Sequence, residues 1–377
     1  MACVPQGEGP FLEQAADSRR EPSVVMVAPL GARCGIADYV RHLLEALEGH
    51  ARIAAVVEAA GFRPEHNRCD LVHIQHQYFL FGGVAPWKCR IGRLLRRIER
   101  PVVMTAHEFV EPTGGPLRGG AIALTNRLHF GSPAVRRILV HTEWDRARLA
   151  RFGPHGDRAC VVRHGVPTAP ALPARDEARR ALGLEDRFVM TIFGFLSRRK
   201  GHAVAVEALR RMPPDAVLLL AGGRHPDDQT GYVADLEARI DAAGVRERCR
   251  VTGYLDEDAV RTVMSATDIV LAPFAESSGS GSLAMAFACR KPILASDIAP
   301  HAEIVADTPG ALRLAPVANG AAMAAAAAAL RDDSAARERL VRGATEYAER
   351  HSYDRVAAET AALYRAVRKQ GKRCGSG

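Results

Sequence analysis

An acidic residue followed by a run of small ones, Glu276-Ser-Ser-Gly-Ser-Gly-Ser282, leads into the apolar stretch Leu283-Ala-Met-Ala-Phe-Ala288. Small residues at a helix start leave backbone amides uncovered, and such amides with the positive end of the helix dipole attract anions. Ser278, Gly279, Ser280, Gly281 and Ser282 therefore read as a seat for a diphosphate, with Ser280 and Gly281 as the backbone contacts. Glu276 beside that seat could accept hydrogen bonds from the hydroxyls of a polyol. A phosphate seat next to a hydroxyl acceptor is what a nucleotide sugar requires. The plainer readings are that Glu276 is a solvated loop carboxylate and the serines are helix caps.

A second basic element supports the phosphate reading. Gly194-Phe-Leu-Ser-Arg-Arg-Lys-Gly201 follows an apolar, β-rich run and places Arg198, Arg199 and Lys200 where a phosphate would be met. It lacks the Gly-Lys-Ser/Thr ending of a Walker A loop. Arginine holds phosphate oxygens bidentately and lysine acts as a point charge. In the other half, Gln75, His76 and Gln77 are expected just past a strand end, and His107-Glu108 follows another strand in the same way. His141 and His164 also end short strands. His73 and His76 do not make a metal pair, because strand positions three apart face opposite ways. Asp256-Glu-Asp258 resembles a metal-binding DxD but immediately precedes a helical pattern, so first-turn capping is the favoured reading and no metal is expected.

The elements that must hold these residues alternate along the chain. Val24–Pro29, Arg52–Val57, Leu71–Ile74, Val102–Thr105, Ile138–His141 and Cys160–Arg163 read as strands of a first half, with the loop Gly31–Gly35 and an amphipathic helix Ile36–Leu47 after the first of them. A proline-rich stretch, 166–174, interrupts the pattern. It then restarts with Phe188–Phe193, Ala216–Ala221, Cys249–Thr252, Ile269–Ala272 and Ile293–Ala295. The expected architecture is α/β: two Rossmann-like domains facing across a cleft, with ligands at the carboxyl ends of the strands. The expected bounds are a flexible tail at 1–22, a first domain at 23–168, a linker at 169–186, a second domain at 187–350 and a terminal helix and tail at 351–377.

With 377 residues, two α/β domains are the natural expectation. A composition of 47% hydrophobic and 25% charged residues is that of a soluble globular protein, and no apolar run is long enough to span a bilayer. The net charge of +8 suits an anionic ligand, while 6% aromatic content and the lack of a base-reading motif argue against nucleic acid. The eight cysteines are scattered with no CxxC pair, and no secretory signal is evident at residues 1–22, so a reducing, cytoplasmic location is expected. Lys88–Arg100 is a basic amphipathic stretch: an outer helix with a solvated basic side is the favoured reading, and peripheral contact with an anionic membrane the less favoured one.

Taken together, Gly31–Tyr39, His73–Gly83, His107-Glu108, His164-Gly165, Gly194–Gly201, Gly253–Leu255 and Glu276–Ser296 resemble the GT-B-fold glycosyltransferases of family 4 (group 1), the retaining nucleotide-sugar transferases. The resemblance spans about Val24 to Val367. It implies that Gly31 and Gly35 approach the donor diphosphate and that Arg199 and Lys200 bind its phosphates, with Gly194 and Arg198 in the same loop. It further implies that Tyr254 and Leu255 bracket the nucleobase, that Glu276 holds donor hydroxyls and that His107 contacts the transferred sugar. Gln75, His76 and Gln77 fall on the acceptor side, and the last helix crosses back to the first domain. The implied partners are a nucleoside diphosphate sugar as donor substrate, with no further cofactor, and a hydroxyl acceptor; homo-oligomers are compatible. The chain departs from the family at Ala284, where a second glutamate often serves the ribose, and at Phe195, where an arginine often follows the glycine. A nucleotide-sugar 2-epimerase-like isomerase and a non-catalytic nucleotide-sugar-binding relative are the competing readings.

Overall fold

The structure, a computed structural model, describes residues 20–30, 34–154, 156–224 and 231–373, the side chains of 371–373 excepted. The chain divides into two units: unit 1 comprises 1–141, 145–162 and 354–377, and unit 2 comprises 142–144 and 163–353.

Unit 1 carries strands β1 (Ser23–Val27), β2 (Arg52–Val57), β3 (Leu71–His76), β4 (Val102–Ala106), β5 (Val135–Val140) and β6 (Ala159–Val161) in one parallel sheet of order 2-1-3-4-5-6. Its helices are α1 (Gly35–Ala46), α2 (Ile91–Arg97), α3 (Pro116–Phe130) and most of α4 (Glu143–Phe152). β1, β3 and β4 are buried along their whole length, which is why β1 and β4 read as mainly apolar runs rather than alternating ones, while β3 also buries His73, Gln75 and His76.

Unit 2 begins with helix α5 (Arg175–Leu182) and carries β7 (Phe188–Phe193), β8 (Ala216–Ala221), β9 (Cys249–Val251), β10 (Ile269–Ala272), β11 (Ile293–Ser296) and β12 (Arg313–Ala315). The helices that follow are α6 (His202–Arg210), α7 (Tyr232–Ala242), α8 (Glu257–Ala266), α9 (Gly281–Ala288), α10 (Ala299–Asp307), α11 (Gly320–Asp332) and α12 (Ser334–Arg350). The sheet order, 12-11-10-7-8-9, is the doubly wound arrangement in which the chain starts in the middle, builds outward to one edge and returns to build the other. Its switch point lies between β7 and β10, so the loops leaving those two strands diverge and open a crevice at their carboxyl ends.

The last helix, α13 (Tyr353–Arg373), belongs almost entirely to unit 1. Tyr364 and Val367 are fully buried there, and the Arg368 guanidinium donates to the Arg20 carbonyl.

Three expectations change. The segment 169–186 is not a bare linker, because it contains α5. That helix packs on α8, and Arg175 and Arg179 both bind Asp268, the Arg179–Asp268 pair being buried. The basic stretch 88–100 is helical only over α2. Ile98 turns extended and is buried, ending the helix three residues before Pro101. β12 is a short edge strand with too few apolar residues to stand out in the sequence.

Gly201 shows how tightly the two loops at the switch point meet. It sits at φ +68°, and a Cβ there would lie 1.9 Å from the Pro273 carbonyl oxygen. Gly49, at φ +78°, has nothing within 4 Å. In urea unfolding, Gly201→Ala is expected to cost about 2 kcal/mol or more and Gly49→Ala about 1 kcal/mol. Equal losses would show that the close approach to Pro273 carries no weight.

Candidate functional site

The first cluster lies at the switch point of unit 2. After β7 the backbone turns through Gly194 (φ +99°), and one helical turn, Arg198–Lys200, leads to Gly201 and α6. That turn aims Lys200 back under the loop. Its Nζ donates to the Phe193 carbonyl at 2.9 Å and to Ser282 Oγ at 2.7 Å, and lies 5.3 Å from the centre of the Phe274 ring. The φ of +99° favours glycine at 194, and a Cβ there would lie 2.6 Å from the ammonium and displace it. Lys200 is 7% exposed, and burial, followed by repulsion from Arg199, pushes its pKa down to about 7. An ammonium has three N–H donors. Two are used among the described residues, and one is left for a ligand.

The second side of this cluster is the loop after β10. Ala275 donates its amide to the Arg199 carbonyl at 2.8 Å, joining the two loops. Ser280 is the N-cap of α9: its Oγ accepts from the Leu283 amide at 3.3 Å and lies 3.0 Å from Ser282 Oγ. A continuous polar path therefore runs from Lys200 through Ser282 and Ser280 to the first amides of α9. Gly281 opens that helix, and a Cβ on it would meet only His164 Nε2, at 4.0 Å. Glu276 is exposed in the same loop, and Ser278 and Gly279 are half-buried between it and the cap. Phe195 is half-buried and Ala284 buried. Tyr254, 59% exposed, and Leu255 follow β9 and the positive-φ Gly253.

The three cations of the loop have different settings. Arg199 is exposed and makes no ion pair among the described residues. Arg198, expected at the phosphate, instead pairs with Asp235 of α7 at 2.5 Å and lies 5.2 Å above the Tyr232 ring. Asp256 is the N-cap of α8, accepting from the Ala259 amide at 2.8 Å, and Asp258 binds Arg261 one turn on. Among the described residues no group of three or more His, Cys, Asp or Glu side chains is placed to hold a metal.

The other cluster lies in unit 1. His107, just after β4, bonds through Nε2 to Gln75 Oε1 at 2.9 Å, and its Nδ1 lies 3.3 Å from His141 Nε2. His141 in turn bonds through Nδ1 to the Val162 carbonyl at 3.0 Å. The Tyr39 ring packs edge-on against His107, with centres 4.9 Å apart. Behind Gln75, whose Nε2 lies 3.3 Å from His73 Nε2, His73 bridges Tyr364 Oη (2.6 Å) and Thr105 Oγ1 (2.8 Å). Burial lowers the His73 pKa to about 3, so this bridge is neutral. Gln75 is thus a buried support for His107, inside β3 rather than beyond its end.

His76 does not join this cluster. It ends β3 facing the opposite way from Gln75, as the two-residue period of a strand demands. Its Nε2 meets His129 Nδ1 at 2.6 Å, among Tyr78, Phe81 and Phe130. Burial and His129 hold its pKa well below the usual histidine range, so it is a core residue. Gln77 is half-buried at the start of the turn Tyr78–Phe81. Gly35 opens α1 with nothing within 4 Å of a Cβ, while Gly31 lies outside the described residues. Tyr364, Thr105 and Phe274 are additions from the structure. No local signal could pair Tyr364 with His73, 291 positions away.

Two outcomes follow. The unfolded lysine titrates at 10.5 and the folded one at about 7, so between these values the unfolded chain holds one more proton and stability rises with pH. The rise in unfolding free energy, up to about 1.4 kcal/mol per pH unit, is expected in wild type and absent from Lys200→Met. A wild-type-minus-variant difference that is flat across this window would refute the buried ammonium. Tyr364→Phe, which strips the partner from a buried ring nitrogen of His73, is expected to lower stability by about 1–3 kcal/mol. An unchanged urea midpoint would mean that the relay contributes nothing.

Comparisons with known proteins bear on the family and the fold. The family model described as glycosyl transferases group 1 matches residues 174–347. The α-maltose-1-phosphate synthase of Mycolicibacterium smegmatis is 29% identical over 352 residues, covering 87% of each chain. The D-inositol 3-phosphate glycosyltransferase of Jonesia denitrificans is 25% identical over 312 residues, covering 78% of this chain and 72% of the relative. In fold, Anabaena HepE, solved in complex with UDP and glucose, matches with a TM-score of 0.75 at 16% identity, over 91% of this chain and 99% of its own. The sucrose-phosphate synthase of Thermosynechococcus elongatus matches with a TM-score of 0.75 at 19% identity, over 92% and 99%. Residues 174–347 thus match the glycosyl transferases group 1 model, and the fold of the chain, two parallel six-stranded sheets, is that of the GT-B glycosyltransferases.

Proposed function

We propose that the protein transfers a hexose-type sugar from a nucleoside diphosphate sugar to an acceptor hydroxyl with retention at the anomeric carbon. The observation that carries this is the buried Lys200 ammonium, hydrogen-bonded to Ser282 beside the Ser280 cap of α9, at the switch point of a doubly wound sheet. A buried cation with one donor uncommitted, next to free helix amides, suits a diphosphate. The UDP and UDP-glucose complexes of Anabaena HepE, whose fold is similar, support the donor class.

In this reading the bond between the anomeric carbon and the diphosphate oxygen breaks, and the acceptor oxygen bonds to the same face of that carbon. Negative charge builds on the departing phosphate, where Lys200, Arg199 and the amides at Ser280-Gly281 stabilise it. The leaving phosphate oxygen takes the acceptor proton. Glu276 holds donor hydroxyls, His107 orients the transferred sugar with Gln75 behind it, and Tyr254 and Leu255 flank the base. These cations do the work a divalent ion does elsewhere, so the transfer proceeds without metal. With Ala284 buried, the ribose is held by other groups than a glutamate at that position.

The test starts with thermal shifts against nucleoside diphosphates and their sugars, with and without Mg²⁺, since a ligand that binds only the folded state raises the melting temperature. A selective, metal-independent shift is expected. Glu276→Ala should then lower turnover by about a hundredfold or more at an unchanged melting temperature, and wild-type turnover would remove Glu276 from the mechanism. A folded sample that no nucleotide stabilises would overturn the donor assignment.

A further inference from the structure

Six of the ten large apolar side chains exposed among the described residues fall between positions 79 and 128: Phe79, Val84, Trp87, Leu117, Leu124 and Leu128. Trp87 is 80% exposed and Leu117 92%. They come from adjoining pieces of unit 1. Leu117, Leu124 and Leu128 recur at helical spacing along the outer side of α3, whose inner side buries Ile122, Thr125, Asn126, His129 and Phe130. Thr125 Oγ1 donates to the Val84 carbonyl at 2.7 Å, which pins the turn bearing Trp87 against the same helix.

The charge around these side chains is one-sided. Positions 78–130 hold eight Lys and Arg against three Asp and Glu, so this stretch supplies +5 of the chain's net +8. Lys88, Arg90, Arg93, Arg96 and Arg97 are exposed on and before α2, and Arg118 and Arg127 on α3. None of these seven makes an ion pair among the described residues, although many arginines elsewhere in the chain do. Two of the three acids are engaged, Glu111 by Arg148 and Glu108 by the Tyr78 amide. An uncompensated basic field set among exposed indole and leucine side chains is complementary to one surface above others. Anionic head groups neutralise the arginines, and the apolar side chains enter the head-group boundary beneath them.

We infer that unit 1 docks on an anionic membrane surface through Trp87, the leucines of α3 and the arginines of α2. A protein partner would need a matching acidic surface with an apolar centre, and a polyanion such as RNA would use the arginines without the leucines. The membrane uses both sets at once. No helix among the described residues is long and apolar enough to cross a bilayer, so the association is peripheral. A hydroxyl acceptor carried on a lipid would be presented at such a surface. The docking itself uses none of the residues assigned to transfer.

The experiment is sedimentation of the full chain with vesicles of phosphatidylcholine alone or in an equal mixture with phosphatidylglycerol, at low and high salt. Binding to the mixture only, weakened by salt, is expected. Reversing Arg93, Arg96 and Arg97 to Glu should lower partitioning by about a hundredfold or more. Trp87→Ser with Leu117→Ser should lower it by about tenfold. All five sites are exposed, so both variants should melt as wild type. In a Trp144→Phe background, Trp87 emission should shift to the blue on vesicles. Binding indifferent to lipid charge or to these substitutions overturns the inference. So does a concentration-dependent dimer that Trp87→Ser dissolves in a protein that ignores vesicles, or RNA binding that survives the Trp87 and Leu117 changes with no vesicle binding. Glu276→Ala should bind vesicles as wild type does, so failure of the transfer reading and failure of docking are separable.

Discussion

A buried ammonium is costly unless its protons are matched, and in unit 2 the matching organises a large part of the site. Lys200 needs the Phe193 carbonyl from the end of β7, the Ser282 hydroxyl from the start of α9 and the face of Phe274 from the loop after β10. Those three groups come from the two strands that flank the switch point, so satisfying one cation fixes the distance between two diverging loops. Gly194 and Gly201 stand on either side for the same reason. One leaves room for the ammonium and the other for the Pro273 carbonyl. The backbone bond from Ala275 to Arg199 then closes the arrangement.

Unit 1 solves a different problem with neutral groups. His107 stands at the end of β4, where a strand-end side chain would otherwise rotate freely. Gln75 from β3 holds one ring nitrogen, and His141, anchored on the Val162 carbonyl, faces the other. Gln75 and the Val162 carbonyl each hold one nitrogen of these two rings, which fixes the orientation of both. Burial keeps the next histidine back, His73, neutral, so it transmits position and not charge.

The alternation of strands and helices was legible because buried parallel strands are written as continuous apolar runs, and the loop 194–201 and the segment 276–282 because glycine, serine and arginine are rarely gathered so without a backbone or anion reason. What escaped was whatever depends on partners distant in sequence or on a shift of one or two residues. His76 was expected past the end of β3 because the apolar run stops at Ile74. The strand continues to residue 76, and that continuation turns the side chain into the core. Arg198 and Arg199 are indistinguishable in sequence, and only the position of Asp235 on a later helix separates their roles. The linker reading rests on the proline-rich stretch 166–174, which says nothing of α5, yet Asp268, at the head of β10, binds Arg179 of that helix in a buried pair.

The way α13 returns to unit 1 has a bearing on how the protein is made. Tyr364, Ala361 and Val367 are fully buried in a unit whose other residues lie before position 163. On a ribosome, the chain from 163 to 353 emerges before the helix that completes that unit. The second sheet, contiguous in sequence, can close on itself while β3 still shows the position of Tyr364 to water. The order of synthesis therefore lets the second unit assemble first and leaves the earlier-made one waiting for its last helix.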